Sequence, residues 1–258
     1  MDNVEKLKLY YNKQSKHSQY QSIAPDILAL IGPEIPAYNS RHELQRINYI
    51  SKNLRLSGYS ILDIGANTGY FSFEALRLGA SSVVAWEGNR EHALFLTYAK
   101  QLLGYSDKQL QIKASYFDPT FCEMQGQFDF TFLLNVLHHL GDDFGRKDIS
   151  LVNFKNECSI FLKKLSKISH YLAFQIGYCW HGNREVRIFN EGTKQNQIDF
   201  LKDCISDNWK ISRIGIAEKD ENLINYVDVS QDNIYRDDSL GEFLNRPLFL
   251  LESTCWEK

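Results

Sequence analysis

Residues 59–69 read Y-S-I-L-D-I-G-A-N-T-G, a hydrophobic run that leads into a turn with two glycines. The run from Ser60 to Ile64 is typical of a buried strand, and residues 69–78 have the apolar spacing of a helix. A second apolar run, S-V-V-A-W-E, ends in a carboxylate at Glu87. Glycine lets the backbone approach a ligand, and a carboxylate can accept the two hydroxyls of a ribose. This order of features therefore predicts half of a nucleotide-type site.

The alternation of strand and helix continues to about residue 178. Further strands are predicted at L-Q-I-K-A, F-D-F-T-F-L-L and Y-L-A-F-Q-I-G, with helical stretches around 69–79, 89–103, 136–141 and 150–167. Because these strands are apolar rather than alternating, they predict a parallel sheet that is covered on both faces by helices. A helix at 194–205 and strands at 209–216 and 247–252 are expected to follow. We expect an N-terminal helical extension, residues 1–55, and an α/β domain, residues 56–258, with insertions at about 179–193 and 218–245.

The composition is that of an ordinary globular protein of 258 residues, 43% hydrophobic and 24% charged. A formal charge of −3 disfavours generic nucleic-acid binding, although a local patch for one specific RNA remains open. The five cysteines are odd in number and widely spaced, and no C-x-x-C occurs. We therefore expect no disulfide framework and no metal site. The N-terminus has no apolar signal core and no apolar stretch reaches membrane-spanning length, so we expect a cytoplasmic protein without a membrane span.

The glycine turn does not match the two commonest nucleotide motifs. A dinucleotide site requires G-x-G-x-x-G, but Asn67 and Tyr70 stand where the second and third glycines are needed after Gly65. The phosphate-binding G-x-x-x-x-G-K-[ST] run does not occur in the chain. Close contact between the turn and a pyrophosphate is therefore not expected.

What remains has the form [DE]-x-G-x-x-x-G, with Asp63, Gly65 and Gly69 at the three defining positions. A-W-E-G-N follows strand two, and F-D-F-T-F-L-L-N-V-L-H-H-L spans strand four. Together these motifs resemble those of the class I S-adenosyl-L-methionine (SAM) methyltransferases, over roughly residues 56–180. The resemblance implies a Rossmann-like α/β fold with a mostly parallel seven-stranded sheet. It also implies SAM as methyl donor and S-adenosyl-L-homocysteine (SAH) as product.

The same resemblance implies roles for individual cofactor-binding residues. Gly65 and Gly69 would let the turn pass the methionyl part of SAM, while Asp63 would organise its ammonium group. Glu87 would take the ribose hydroxyls, since an ionised carboxylate offers acceptors to both donors. The expected cofactor set also contains Ala66, Asn67, Ser115, Tyr116 and Asn135. Asn67 replaces a glycine common in the family, and asparagine tolerates left-handed backbone well.

The histidines after strand four are the expected catalytic groups. His139 aligns with a histidine that many relatives carry, and it could remove the proton of an acceptor hydroxyl. Equally, His139 could pack under the cofactor and support the loop without touching that proton. His138 is a weaker candidate, and His181, after strand five, is a second candidate base. The remaining histidines, His17, His42, His92 and His170, fit solvated or capping roles.

The expected acceptor site follows strand five. Its aromatic, amide and guanidinium groups suit a polyhydroxylated or phosphorylated small molecule. The candidates are Gln175, Tyr178, Trp180, Asn183, Arg184 and Arg187, together with Arg41 from the N-terminal extension as part of a lid. Trp180 could instead be a core residue.

The segments Q-I-G-Y-C-W-H-G-N and G-E-F-L-N-R-P-L-F-L-L resemble parts of bacterial methyltransferases of polysaccharide and specialised-metabolite assembly. We therefore expect methyl transfer to a hydroxyl or phosphoryl oxygen of a small molecule or saccharide. That acceptor would be nucleotide-linked or related to cell-surface polysaccharide. A similarity in layout to the tRNA wobble-uridine carboxymethyltransferase leaves an RNA substrate open. A SAM-binding partner protein without catalysis is the third possibility. A monomer and a homodimer are both compatible with the sequence.

Overall fold

The computed structural model describes residues 1–13, 17–32, 40–120, 126–189, 191–221 and 223–256. Its helices are α1 (Asn3–Asn12), α2 (Pro25–Ile31), α3 (Glu43–Asn53), α4 (Tyr70–Arg77), α5 (Arg90–Leu102), α6 (Leu151–Ser166), α7 (Lys194–Ile205) and α8 (Gly241–Leu244). Its strands are β1 (Ser60–Ile64), β2 (Ser82–Trp86), β3 (Leu110–Lys113), β4 (Phe128–Leu134), β5 (Ser169–Gln175), β6 (Trp209–Asp220), β7 (Leu223–Asp228) and β8 (Leu248–Ser253). The alternation of strand and helix predicted for residues 56–178 is therefore present.

The strands form an eight-stranded sheet in the order β3-β2-β1-β4-β5-β8-β6-β7. The pairs β1–β2, β2–β3 and β4–β5 are parallel, while β5–β8, β6–β8 and β6–β7 are antiparallel. The α/β class and the largely parallel arrangement are confirmed. The predicted count of seven strands is wrong, because the structure has an eighth.

The additional strand, β7, lies within the segment 218–245 that sequence patterning interpreted as a polar insertion. It reads L-I-N-Y-V-D at the edge of the sheet, and Tyr226 is its buried residue. The neighbouring Leu223 and Val227 are exposed. An edge strand with one solvated face needs few apolar side chains, so a polar stretch can form one.

The contacts divide the chain into two compact units. The first comprises Met1–Ile47 and Leu54–Phe117, and the second comprises Asn48–Asn53 and Asp118–Lys258. The expected division at residues 55 and 56 stays a prediction. Within the described ranges, no helix is both long and apolar enough to cross a membrane. Cys158, Cys179, Cys204 and Cys255 are free thiols, and Cys122 lies outside the described residues.

The first unit carries the parallel strands β1, β2 and β3. Asp63 near the end of β1 pairs with Ala85 of β2, so the carboxyl ends of both strands lie at one edge. Helix α4 begins after Gly69 and α5 begins at an Asn89 cap, whose side chain accepts from two backbone N–H groups. The fully buried side chains of this unit include Ile61, Leu62, Phe95 and Leu96.

The second unit carries β4, β5 and the antiparallel strands. Its deeply buried aromatic residues include Phe130, Phe132, Phe174 and Phe249. The helix predicted around 136–141 is a single 3-10 turn, Leu137–His139, which follows directly from the end of β4. A second 3-10 turn, Trp180–Gly182, follows β5.

Candidate functional site

The glycine turn of the first unit has three residues in the left-handed region, Gly65 (φ 74°), Asn67 (φ 53°) and Gly69 (φ 82°). A β-carbon at position 69 would lie 2.2 Å from Cδ2 of Leu96, so close packing as well as backbone conformation requires glycine there. The backbone N–H groups of Gly65 and Ala66 both donate to the carbonyl of Trp86, at 2.9 and 3.0 Å. These bonds hold the turn against the end of β2.

Glu87 is buried, and each of its carboxylate oxygens accepts one backbone N–H. Oε2 accepts from Asn67 at 2.6 Å, and Oε1 accepts from Asn89 at 2.7 Å. Two such oxygens offer about four acceptor positions, so about two remain. That number matches the two hydroxyl donors of a ribose. The chemistry of Glu87 therefore fits the nucleoside part of SAM.

Asp63, near the end of β1, is buried and accepts a 2.6 Å hydrogen bond from Oγ of Ser72. Burial raises its pKa to about 7; the hydrogen bond from Ser72 opposes this rise and the charge of Glu87 adds to it. A nearby ammonium group would favour the ionised carboxylate. Asp63 is thus suited to the role expected for it.

Gln21 is a residue of this region that sequence patterning missed. Its Oε1 accepts from the backbone N–H of Tyr70 at 3.0 Å and from Oγ1 of Thr68 at 3.1 Å. It therefore caps the first turn of α4 from outside that helix. The Asn67 amide in turn donates to the carbonyl of His17 at 3.3 Å. No sequence signal identifies such a cap, because Gln21 lies 49 residues before Tyr70.

The other expected cofactor residues of the first unit lie near the surface. The Tyr116 ring is half-exposed. It packs against Gly88, the residue after Glu87, so closely that a β-carbon at position 88 would lie 2.2 Å from Cδ1 of Tyr116. Ser115 is exposed, and its backbone N–H donates to the carbonyl of Lys113 at 2.9 Å. In the N-terminal segment, the Arg41 guanidinium lies 4.9 Å from the ring centre of Tyr20.

In the second unit, Asn135 follows β4 with left-handed backbone (φ 60°) and joins a ring of hydrogen bonds. Its Nδ2 donates to Oε1 of Gln175 at 2.9 Å, and its Oδ1 accepts from Nη1 of Arg246 at 2.8 Å. Gln175 closes the ring by donating to the Arg246 carbonyl at 2.9 Å. Arg246 also pairs with Glu242. Gln175 is fully buried, and both its amide oxygen and its amide nitrogen form hydrogen bonds within the protein. Arg246 was not among the predicted site residues.

The two histidines after β4 have different surroundings. The His138 ring is buried, and its Nδ1 accepts from the backbone N–H of Gly177 at 3.3 Å. A β-carbon at Gly177 would lie 2.9 Å from that ring. His139 is partly accessible, and its Nδ1 lies 3.3 Å from Oδ2 of Asp143. The His138 ring thus packs against Gly177, whereas His139 lies beside the carboxylate of Asp143.

Trp180 and His181 share one acceptor. Nε1 of Trp180 donates to the carbonyl of Leu140 at 3.2 Å, and Nε2 of His181 lies 3.1 Å from the same oxygen. If Nε2 carries the donated proton, Nδ1 is the unprotonated nitrogen of the neutral ring. Their ring centres are 4.2 Å apart, so the two side chains form one aromatic surface.

The loop after β5 carries exposed cations. Asn183, Arg184 and Arg187 are exposed, whereas Tyr178 is buried and donates from its hydroxyl to the Asn245 carbonyl at 2.7 Å. Burial, aided by the charge of Glu242, raises the pKa of the Cys179 thiol; the charges of Arg246, Arg187 and Arg184 oppose that rise. This loop therefore carries two exposed guanidinium groups, those of Arg184 and Arg187.

Comparison with known proteins gives the following relatives. No family model matches the chain. It is 32% identical over 103 residues to the ubiquinone biosynthesis O-methyltransferase of Azotobacter vinelandii. The aligned region covers 39% of this chain and 43% of that protein. Magnesium protoporphyrin IX methyltransferase from Synechocystis PCC 6803, solved with bound SAM, has a TM-score of 0.53 at 12% identity and 98% coverage of both chains. The bifunctional kinase-methyltransferase WbdD has a TM-score of 0.56 at 15% identity, over 95% of this chain and 46% of its own chain.

The chain has the fold of the SAM-dependent methyltransferases. The resemblance on which the sequence analysis rests is thereby confirmed, and methyltransferase relatives support both the enzyme class and SAM as its cofactor. The chain spans less than half the length of the curated methyltransferase that it matches. The acceptor and the roles of individual site residues stay predictions.

Proposed function

We propose that this protein transfers a methyl group from SAM to an oxygen of a small-molecule or saccharide acceptor. The observation that carries the proposal is the Glu87 carboxylate. It receives backbone N–H groups from Asn67 and Asn89 and keeps acceptor capacity for a ribose. This arrangement joins the glycine turn to the acid after β2.

The first unit would bind the methyl donor. Glu87 accepts the ribose hydroxyls, Asp63 faces the ammonium group, and the Gly65–Gly69 turn passes the methionyl part. When bound, SAM supplies an electrophilic methyl group on a sulfonium. The protein's own task is then mainly to orient an acceptor and to handle its proton.

For a hydroxyl acceptor, we propose His139 as the general base. The Asp143 carboxylate, 3.3 Å from Nδ1, favours the tautomer that carries its proton on Nδ1. Nε2 is then the nitrogen that accepts the hydroxyl proton. His181 is the second candidate, and the packing of His138 against Gly177 favours a supporting role for that ring.

For an anionic acceptor, such as a phosphoryl or carboxyl group, no base is needed and cation recognition becomes more important. The exposed Arg184 and Arg187 present guanidinium donors suited to paired anionic oxygens. The adjacent surface of Trp180 and His181 suits the apolar face of a sugar ring. These features support a nucleotide-linked or otherwise phosphorylated saccharide.

The test is transfer of isotope-labelled methyl from SAM to separate panels of nucleotide-linked sugars, sugar phosphates, small hydroxylated metabolites and bulk tRNA. We expect label on an oxygen of one saccharide or small-molecule class. We also expect at least a tenfold loss of SAM affinity in Glu87→Ala, about 1.4 kcal/mol. Glu91→Ala, which removes a carboxylate paired with Lys13, is the matched control.

The other outcomes identify the alternatives. Label in tRNA, with tight binding that weakens steeply over a salt series, would favour an RNA-modifying enzyme. Tight SAM binding without transfer to any panel would favour a non-catalytic partner protein. Unchanged SAM affinity in Glu87→Ala would contradict the cofactor site itself.

A further inference from the structure

His92, on α5, is a buried histidine whose surroundings differ from the solvated or capping role that its sequence position suggested. Its exposed fraction is 5%. Its Nδ1 lies 3.4 Å from Nδ2 of Asn67 and 3.8 Å from Oε1 of Glu87. One imidazole nitrogen is therefore next to both the glycine turn and the acid after β2.

The backbone around Glu87 places this ring. Glu87 Oε1 accepts from the N–H of Asn89, and Asn89 is the cap of α5. The Asn89 side chain then accepts from the N–H of His92 at 3.3 Å. His92 lies only five positions after Glu87, so the capped first turn of α5 holds the two side chains in a fixed relation.

The Asn67 side chain is the second element of the arrangement. Its Nδ2 has two N–H donors, one for the carbonyl of His17 and one for Nδ1 of His92. Its Oδ1 accepts from the backbone N–H of Thr68 at 2.8 Å. The backbone N–H of Asn67 donates to Oε2 of Glu87. His92, which contacts the side-chain amide of Asn67, therefore helps to fix the residue whose backbone N–H orients this carboxylate.

We propose that His92 is a positioning residue of the cofactor site, which acts through Asn67 and Glu87 on recognition of the ribose hydroxyls. The proposal rests on the proposed function, because it takes Glu87 as the ribose acceptor. In the neutral ring, Nδ1 accepts from Asn67 and leaves the remaining acceptor positions of the Glu87 oxygens available to the ribose.

The test is calorimetric measurement of affinity for SAH and for its 2′-deoxyribose analogue, so that no acceptor or turnover is needed. The variants are His92→Phe, which keeps a ring without nitrogen, and His92→Asn, whose Oδ1 can replace Nδ1. His92→Gln places its amide further out, at the position of Nε2. His170→Phe, at a histidine stacked on Tyr171, is the control for loss of an imidazole elsewhere.

We expect His92→Phe and His92→Gln to weaken SAH binding at least fivefold while affinity for the deoxy analogue changes less than twofold. We expect His92→Asn to retain affinity for SAH within about threefold. This difference between the two ligands measures coupling to the ribose, as in a double-mutant cycle. A general packing defect would weaken the binding of SAH and of the deoxy analogue by the same factor.

The variants also separate the two levels of the proposal. If Glu87→Ala does not weaken SAH binding, the proposed cofactor site is wrong. If Glu87→Ala weakens SAH but both His92→Phe and His92→Gln bind it normally, or lose affinity for both ligands alike, the role of His92 is wrong. If His92→Phe does not fold, the contrast between His92→Asn and His92→Gln decides the same question.

Discussion

The backbone N–H of Asn67 donates a 2.6 Å hydrogen bond to the carboxylate of Glu87, across 20 residues of sequence. Asn67 lies in the turn after β1, and Glu87 follows β2. The bond therefore joins the ends of two adjacent parallel strands at the site proposed for the methyl donor. The other carboxylate oxygen of Glu87, Oε1, accepts a hydrogen bond from the backbone N–H of Asn89.

Replacing this carboxylate by an amide should destabilise the ligand-free protein. In Glu87→Gln, one side-chain oxygen becomes an NH₂ group that faces a backbone donor, so either Asn67 or Asn89 loses its acceptor. A buried donor without a partner costs about 1–3 kcal/mol. Urea unfolding should show that loss, whereas Glu91→Gln, at a partly exposed ion pair, should change stability by at most about 1 kcal/mol. Equal effects of the two substitutions would contradict the structural role of Glu87.

Gly69 and Gly104 allow backbone strain and packing to be measured separately. Both have positive φ, but a β-carbon at Gly69 would lie 2.2 Å from Leu96, whereas one at Gly104 would meet nothing within 4 Å. Gly104→Ala should cost about 1–2 kcal/mol from the left-handed backbone alone. Gly69→Ala should cost about 1–3 kcal/mol more, because it also overpacks the first unit. Urea unfolding of both variants checks this, and equal losses would show that Leu96 moves aside freely.

Asp63 should make stability fall as pH rises. Burial raises its folded pKa from 3.8 to about 7, so between these values the unfolded chain releases a proton that the folded chain keeps. The contribution is therefore fully present below about pH 4 and is lost as pH rises through about 7. Asp63→Asn, which can still accept from Ser72, should remove this part of the pH dependence. Unfolding free energies of both proteins from pH 4 to 8 test it, and parallel curves would contradict the assignment.

The same group should couple SAM affinity to pH. A bound ammonium favours ionised Asp63, so affinity should increase from pH 6 to 8 in the native protein and change less in Asp63→Asn. Calorimetric titrations with SAM at several pH values measure the difference. An identical pH profile in the two proteins would place the ammonium away from this carboxylate.

His139→Ala distinguishes the two roles that the sequence left open. A general base contributes on the order of 10²–10⁴-fold, so turnover should fall by that factor while SAM affinity is nearly unchanged. Asp143→Asn should lower turnover in the same direction, because it weakens the preference for a proton on Nδ1. His170→Ala serves as the control. Loss of SAM affinity with intact turnover at saturation would instead make His139 a supporting residue.

The Arg246 side chain should contribute more to stability than a surface arginine. Arg246→Met removes the donor to Asn135 and the partner of Glu242, and a hydrogen bond from a charged group is worth about 1.5–3 kcal/mol. Arg213→Met, which breaks an exposed pair with Asp228, should cost about 0–1 kcal/mol. Comparable losses on urea unfolding would show that the ring around Asn135 adds little.

Local patterns in the sequence predicted most of the sheet. The apolar runs at 60–64 and 128–134 coincide with β1 and β4, and the run at 82–87 ends one residue after β2. These strands could be predicted because most of their residues are apolar and occur in short continuous runs. β7 was missed because an edge strand with a solvated face lacks that signal. The single turn at Leu137–His139 was predicted longer, because short apolar runs do not distinguish a 3-10 turn from a helix.

The candidate site divides in the same way. Asp63, Gly65 and Glu87 could be named from sequence because the strand, the turn and the next strand lie close together in the chain. Gln21 and Arg246 could not, since their partners Tyr70 and Asn135 are 49 and 111 residues away. The segment G-E-F-L-N-R-P-L-F-L-L, which contains Arg246, is a recognisable motif, but the motif does not indicate that Arg246 contacts Asn135.

Local sequence therefore accounts for the strand–turn–helix unit and predicts the methyl donor for which the turn is suited, because glycine conformation and strand burial are local properties. Which side chains hold that unit in place depends instead on tertiary packing. His92 shows the reason: its spacing on α5 only describes a helix, whereas its burial against Asn67 depends on how the helix packs. Packing brings distant residues within hydrogen-bonding distance, and no short-range pattern encodes which ones meet.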